Sequence, residues 1–228
     1  MPTTISRRTF ISLAAAGLAA STTIAQGTRT GKTYAYVGSW TQGSFGSGGG
    51  GGITVFEVNE DASLTFKSKL GPEFEDMNAG YLAVSADGRY LYSTEEVGDL
   101  HGEPGAGGGV FSFSIDPENG SLTFLNAQPS MGVNPAYIVI DHSGKYLLAA
   151  NHASYAVATQ VVMQNGNPRI QNVYDDATVT VLPIHTDGSL RAPSDVAILD
   201  RTGGVPGLAA QRSPHAHSIS FDLSLIHI

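Results

Sequence analysis

Asn78-Ala79-Gly80-Tyr81-Leu82-Ala83-Val84 returns as Asn134-Pro135-Ala136-Tyr137-Ile138-Val139-Ile140. A second pair of strings keeps the same spacing. Asp87-Gly88-Arg89-Tyr90-Leu91 returns as Ser143-Gly144-Lys145-Tyr146-Leu147, so the offset is 56 residues from 78 to 134 and again from 88 to 144. Ser63-Leu64-Thr65-Phe66 returns as Ser121-Leu122-Thr123-Phe124, and weakly as Ser189-Leu190. A fixed period of this length is the mark of a tandem architecture. Its units are short apolar/polar alternations bounded by Gly, Asp and Asn, which read as strands.

Each unit holds four such strands, named a to d in chain order. A four-stranded antiparallel sheet repeated in tandem is the blade of a β-propeller. A parallel β-helix needs shorter rungs, and a sandwich does not repeat itself. The strands expected are a b-c-d set over 34–68, a full blade over 80–127, a second over 136–199, and one a strand from His217 to Phe221. No helical period of three or four turns appears after Gln26.

Composition agrees with this all-β reading. Glycine supplies 28 of 228 residues, nearly double ordinary usage, as a turn-rich chain requires. Apolar residues at 41% suffice for a core, which excludes wholesale disorder. A net charge of −8 with no basic stripe argues against a nucleic-acid partner. The absence of cysteine excludes disulfides, thiolate metal sites and a cysteine nucleophile.

The first residues read as an address. Ser6-Arg7-Arg8-Thr9-Phe10-Ile11 is a twin-arginine pattern, an apolar stretch follows from Phe10 to Ala20, and Thr23-Ile24-Ala25 has the small-x-small form of a cleavage site. The stretch is too short to span a bilayer, which favours a removable signal over residues 1–25 rather than a retained anchor. The mature protein is then periplasmic or secreted, with no membrane contact after cleavage. At the other end, the repeats lead one to expect a glycine turn and a b strand after Asp222. Leu223-Ser224-Leu225-Ile226-His227-Ile228 stands there instead and resembles a translated transposon end used in sequencing libraries. Residues 223–228 are therefore expected to be a non-native tail, and 26–222 a partial propeller.

Turn lengths say which face works. The a–b turns (Ala86 to Gly88, His142 to Gly144) and c–d turns (Asn59 to Ala62, Asp116 to Gly120, Thr186 to Gly188) are tight. The b–c loops (Thr41 to Gly51, Val97 to Gly107, Ala153 to Ala177) and d–a loops (Gly71 to Ala79, Asp200 to Ala216) are long. In an up-and-down sheet these two classes lie at opposite ends. All long loops therefore share one face, and long loops on a rigid scaffold are where sites are built.

Tyr36-Val37-Gly38-Ser39-Trp40-Thr41, Gly52-Ile53-Thr54-Val55-Phe56, Tyr81 to Tyr92, and Arg212-Ser213-Pro214-His215-Ala216-His217-Ser218 together resemble one family. It is the lactonase family of seven-bladed propellers, which holds bacterial 6-phosphogluconolactonase and fungal carboxymuconate cyclase. The similarity runs from Thr33 to Asp222, and Pro214 to His217 is its most specific element. It implies seven four-stranded blades, about three of them in this chain, and a protein that is monomeric when full length. It implies hydrolysis of a sugar or organic-acid lactone, a small-molecule substrate and no required cofactor or metal. A muconate-type lactone cyclase and a non-catalytic exported propeller that binds protein or glycan are the alternatives. The chain departs from the family at Glu95, where Asn is common, and at Asn151-His152-Ala153, where Asn-Tyr-Gly is common.

The candidate catalytic residues are His215, His217, Arg212 and Glu96. His215 and His217 stand two apart where a long loop enters a strand, so both rings are expected to face the channel mouth. A histidine pair can act as base and acid at neutral pH. Arg212 would hold an oxyanion, unless it is an ordinary loop ion pair. Glu95 and Glu96 end a b strand, and alternation predicts that only one faces the channel. His152 occupies the matching place one blade on. With Glu95, Asn134 and Asn78 it makes up the expected substrate-binding set. A His-x-His pair plus a carboxylate is also a conceivable metal set, ranked second. His101, Glu103, Asp175 and Asp176 read as solvated loop charges.

The leader generates a prediction. Replacement of Arg7-Arg8 by Lys-Lys blocks export, and mass spectrometry of the exported wild-type protein finds a start near Ala25. Recovery of an exported form that retains Met1 or Pro2 would refute the cleavage.

Overall fold

The structure, a computed structural model, describes residues 31–41, 50–199 and 213–222. The expected leader, the tip of the glycine-rich loop (42–49), residues 200–212 with Arg212, and the expected tail 223–228 lie outside the described residues. The first sheet has three strands in the order β1 (Thr33–Gly38), β2 (Ile53–Val58), β3 (Leu64–Lys69). The second has four, β4 (Leu82–Val84), β5 (Tyr90–Glu95), β6 (Gly109–Ile115) and β7 (Leu122–Pro129). The third runs β8 (Pro135–Ile140), β9 (Tyr146–Asn151), β12 (Thr178–Pro183), β13 (Asp195–Ile198). Every pairing between these strands is antiparallel. These are the b-c-d set and the two full blades expected, and the repeat extends to a bulge between Val55 and Phe56 and between Ser112 and Phe113.

The tight turns are set by their carboxylates. Asp87 accepts the Arg89 N–H, Asp116 that of Glu118 and Asp187 that of Ser189. Each side chain bonds the backbone two residues on, the geometry that makes Asp a turn residue.

Blade is tied to blade by tyrosines on strand b. Tyr34 and Tyr36 donate their hydroxyls to the carbonyls of Glu118 (2.8 Å) and Gly120 (3.1 Å), in the c–d turn of the next blade. Tyr90 and Tyr92 repeat this on Thr186 (3.3 Å) and Gly188 (3.0 Å). Gly120 and Gly188 have φ of 75° and 84°. A β-carbon at 120 would lie 2.6 Å from the Tyr34 ring, and one at 188 would overlap the Tyr90 ring. Beneath these latches lie two inter-blade cores. Ile53, Leu91 and Phe113 join with Phe74 and Met77 between the first pair of blades. Tyr92, Ile138, Leu147 and Leu182 fill the second gap. Phe74 stands edge-on to Phe113 at 5.6 Å.

Two expectations are corrected. Ala153 to Ala177 is not a plain loop: β10 (Val157–Gln164) and β11 (Asn167–Tyr174) form a separate two-stranded antiparallel ribbon. Its turn is Asn165-Gly166, with φ of 51° and 78°, the backbone that matches strand twist in a two-residue hairpin. His217 to Phe221 carries no strand, because no segment among the described residues pairs with it. Among the described residues the long loops contain two short 3₁₀ turns, Pro72–Phe74 and Leu100–Gly102. No helix among the described residues is long and apolar enough to cross a membrane.

The latch yields a prediction. In the full-length protein, Gly188→Ala combines backbone strain with overlap onto Tyr90 and costs about 2–4 kcal/mol. Gly144→Ala has a similar φ, 67°, but open space around its β-carbon, so it costs about 1 kcal/mol. Denaturant unfolding midpoints check the difference; equal costs would remove the steric role of the tyrosine.

Candidate active site

Three residues at one repeat position open the site. Trp40, Glu96 and His152 each follow the end of a b strand, and each pair of neighbours is 56 residues apart, as the Trp40–Glu96 contact itself records. Entry segments of strand a hold two of them in place. The Glu96 N–H donates to the Asn78 carbonyl (3.0 Å), and the His152 N–H donates to the Asn134 carbonyl (2.9 Å). The amide side chains add to this. Asn78 Oδ1 accepts the Thr41 N–H (2.8 Å), and Asn134 Nδ2 donates to the Ala153 carbonyl (3.1 Å). Asn78 and Asn134 thus lie on the wall as expected, with amides that tie loop to loop.

Glu95 and Glu96 both face the cavity, contrary to the alternation argument. The strand ends at Glu95, and the Val97 N–H turns back onto the Glu95 carbonyl (3.0 Å), so period-two reasoning stops there. Glu95 is 9% exposed. Burial pushes its carboxyl up to about 7, against the pull of the Asn78 N–H (3.0 Å from Oε2), with Asp99 adding repulsion. Burial also raises Glu96, opposed by the Trp40 indole N–H, which donates to Oε2 at 3.0 Å.

The histidines assemble around His152. Its ring stacks on His215 at 4.4 Å and meets His217 edge-on at 4.5 Å. Tyr155 closes the group, 4.6 Å from His215. Burial lowers the His152 pKa, and His215 and His217 lower it further. The neutral ring donates Nδ1–H to the Ala153 carbonyl at 2.9 Å, which leaves Nε2 with the lone pair. His215 and His217 do not face the same way. His215 has φ of 51°, which breaks strand alternation, and its Nδ1 bonds the His152 carbonyl at 3.0 Å. His217 lines the cavity, whereas His215 lies against His152 with Nε2 buried and unpartnered among the described residues. Arg212 lies outside the described residues.

Sequence reasoning missed Trp40, Ser154, Tyr155 and the engagement of Asp175. Ser154 Oγ donates to the Asp175 carboxylate, and Ser213 Oγ to its main-chain carbonyl, so Asp175 joins the b–c loop to the strand-entry segment instead of standing in solvent. Trp40 was legible in principle, since counting one period back from Glu96 reaches it.

The cavity these groups line measures about 1440 Å³; most of its wall comes from the b–c and d–a loops, as the turn lengths predict, with Phe111 of β6 and Phe124 of β7 adding to it. The charged groups on its wall include five carboxyls, Glu73, Asp76, Glu95, Glu96 and Asp99, set among apolar side chains such as Phe74, Leu100 and Phe111. Among the described residues no cluster of three or more His, Asp or Glu is placed to hold a metal ion.

Four-stranded antiparallel blades in tandem, with a loop-lined cavity on one face, define a β-propeller. The chain belongs to the lactonase family of seven-bladed β-propellers, whose model matches residues 34–224. It is 30% identical over 190 residues to the 6-phosphogluconolactonase of Bacillus subtilis (strain 168), which covers 83% of this chain and 43% of that protein. It is 28% identical to the 6-phosphogluconolactonase of Formosa agariphila over 82% of this chain and 43% of the relative. Among solved structures it is similar to the periplasmic gluconolactonase of Pseudomonas aeruginosa, with 26% identity and a TM-score of 0.56, over 79% of this chain and 41% of that one. The chain thus spans less than half the length of these relatives.

Glu95 generates a pH prediction. Its folded pKa lies above the ordinary carboxylate value, so the folded state holds a proton that the unfolded state releases, and stability falls as pH rises from about 4.5 to about 7. Glu95→Gln in the full-length protein keeps an acceptor for Asn78 and removes that penalty. It gains on the order of 2–3 kcal/mol at pH 8 and little at pH 4, read from unfolding midpoints at both values. A variant equally stable to wild type at pH 8 would show that Glu95 ionises at no cost.

Proposed function

We propose that the full-length protein hydrolyses an unphosphorylated sugar or organic-acid lactone to its hydroxy acid. The observation that carries the reading is one cavity wall that combines the Glu96 carboxylate with His217 and the neutral His152. Family membership and the names borne by the relatives support it.

The steps follow from these groups. Glu96 takes a proton from water as the oxygen attacks the ring carbonyl carbon. Negative charge moves to the carbonyl oxygen, where Arg212 is assigned the stabilising role from its place ahead of the Pro214–His217 segment. The intermediate collapses, the bond from carbonyl carbon to ring oxygen breaks, and His217 protonates that oxygen as it becomes a hydroxyl. The acyl end of the same molecule is released as a carboxylic acid, which ionises, so the product is a single hydroxy acid. His152, with its lone pair on Nε2, orients a substrate hydroxyl on the same wall.

The acidic side chains Glu73, Asp76, Glu96 and Asp99 on the wall support a substrate without a phosphate, since a dianion there meets repulsion, while sugar hydroxyls can donate to them. The twin-arginine leader supports the same choice. Export by that route would place the enzyme outside the cytoplasm, where unphosphorylated lactones are met.

In the full-length protein, His217→Ala and Arg212→Ala each lower kcat/KM for an aldonolactone by roughly two orders of magnitude and leave the melting temperature within a degree or two. A structural histidine or arginine behaves oppositely, with stability lost first. Variants that melt several degrees lower yet keep full turnover per folded molecule would overturn the assignment and favour a binding propeller.

A further inference from the structure

We propose that Trp40 is a positioning residue for this reaction: its indole N–H from one blade, and the bare backbone of Gly80 on the next, fix the Glu96 carboxylate in the orientation from which it accepts the proton of water. The inference rests on the lactonase reading, and three independent features of the fold carry it.

The contact itself crosses between blades. Trp40 Nε1 donates to Glu96 Oε2 at 3.0 Å, and both side chains lie on the cavity wall. A bond to an ionised acceptor is stronger than one between neutral groups and restricts its rotation.

The second feature is the space at Gly80. A β-carbon there would overlap Glu96 Oε2 and stand 3.1 Å from the carboxyl carbon. Gly80 is absent from the positive-φ glycines, so it is room for the carboxylate, not backbone freedom, that requires glycine. The matching positions in the next two repeats are Ala136 and His217, which carry side chains. Of these three repeats, the one that presents Glu96 leaves this position bare.

The third is how Trp40 is held. The Ser39 carbonyl accepts the Ala79 N–H (3.2 Å), and the Thr41 N–H donates to Asn78 Oδ1 (2.8 Å). Both neighbours of Trp40 are thereby pinned to the segment whose Asn78 carbonyl receives the Glu96 N–H (3.0 Å). Donor and acceptor hang from one short stretch of backbone, so their distance is set by the blade interface.

Other titratable groups share the wall. Glu95 and Asp99 come from the same strand exit, Glu73 and Asp76 from the preceding loop, and His101, His152, Tyr155 and His217 complete the set. The test therefore compares variants over one pH range instead of reading a single limb. Trp40→Phe keeps the ring and removes the N–H. In the full-length protein it moves the acid limb of the kcat–pH profile up by about one unit, since the lost bond favoured the carboxylate, and activity recovers on the alkaline plateau. KM changes by less than roughly threefold. Gly80→Ala displaces the carboxylate and lowers kcat by roughly tenfold or more at every pH. A uniform loss in Trp40→Phe, or an unmoved acid limb, overturns the proposal. An independent readout is the pH titration of the fluorescence component that Trp40→Phe removes. It follows the ionisation of Glu96 and vanishes in Glu96→Gln; persistence in that variant overturns the clamp. A wild-type protein that hydrolyses no lactone but shows this titration refutes the lactonase reading and leaves the clamp standing.

Discussion

The contact on which the rest depends is the tyrosine hydroxyl of a b strand on the glycine turn of the following blade. The sheets share no strand ladder, so beyond a few loop contacts such as the Ala79 N–H on the Ser39 carbonyl their spacing rests on side chains. Tyr34 and Tyr36 reach the turn at Gly120, and Tyr90 and Tyr92 reach that at Gly188. Each turn accepts through carbonyls that no strand uses, and each glycine clears the space for the ring above it. With the turn end of the blades locked, their long-loop ends keep a constant separation. That is why side chains from three blades meet on one wall without a direct ladder between them.

The wall is therefore written in register. One position after each b strand supplies Trp40, Glu96 and His152 in turn, an aromatic donor, a carboxylate and an imidazole. The backbone beneath repeats, since the N–H of Glu96 and of His152 each find the carbonyl of an entry asparagine. Chemistry differs while geometry does not. Burial then tunes what the register presents, raising the two glutamates and lowering His152.

The fold and the working face were legible because both follow from periodicity and turn length. Tight Asp turns and strand alternation survive nearly unchanged in the structure. Reasoning failed where the backbone leaves the strand. Glu95 and Glu96 straddle a strand end, and His215 adopts a left-handed conformation, so parity does not describe where their side chains point. The β10–β11 ribbon was hidden by treating Ala153 to Ala177 as one loop, although Asn165-Gly166 between alternating Val, Met and Ile is a strong hairpin signal. Trp40 is hard to see because Trp, Glu and His share no chemistry at this position, and only the 56-residue count from Glu96 links them.

The ribbon also bears on how such a protein diversifies. Asn151 ends β9, Thr178 begins β12, and the two residues pair directly, so the blade closes below the ribbon as though nothing had been inserted. The ribbon's strands pair only with each other. Val157, Val161, Met163 and Ile170 fall on one of its faces by register, beside a cavity to which Ser154, Tyr155 and Ala156 contribute. An appendage joined at a single paired step can be lengthened, exchanged or lost at little more than the entropy of closing a loop. Lineages can thereby recast the rim of the pocket by recombination at one splice point, while the blades that carry Glu96 and Trp40 are inherited intact.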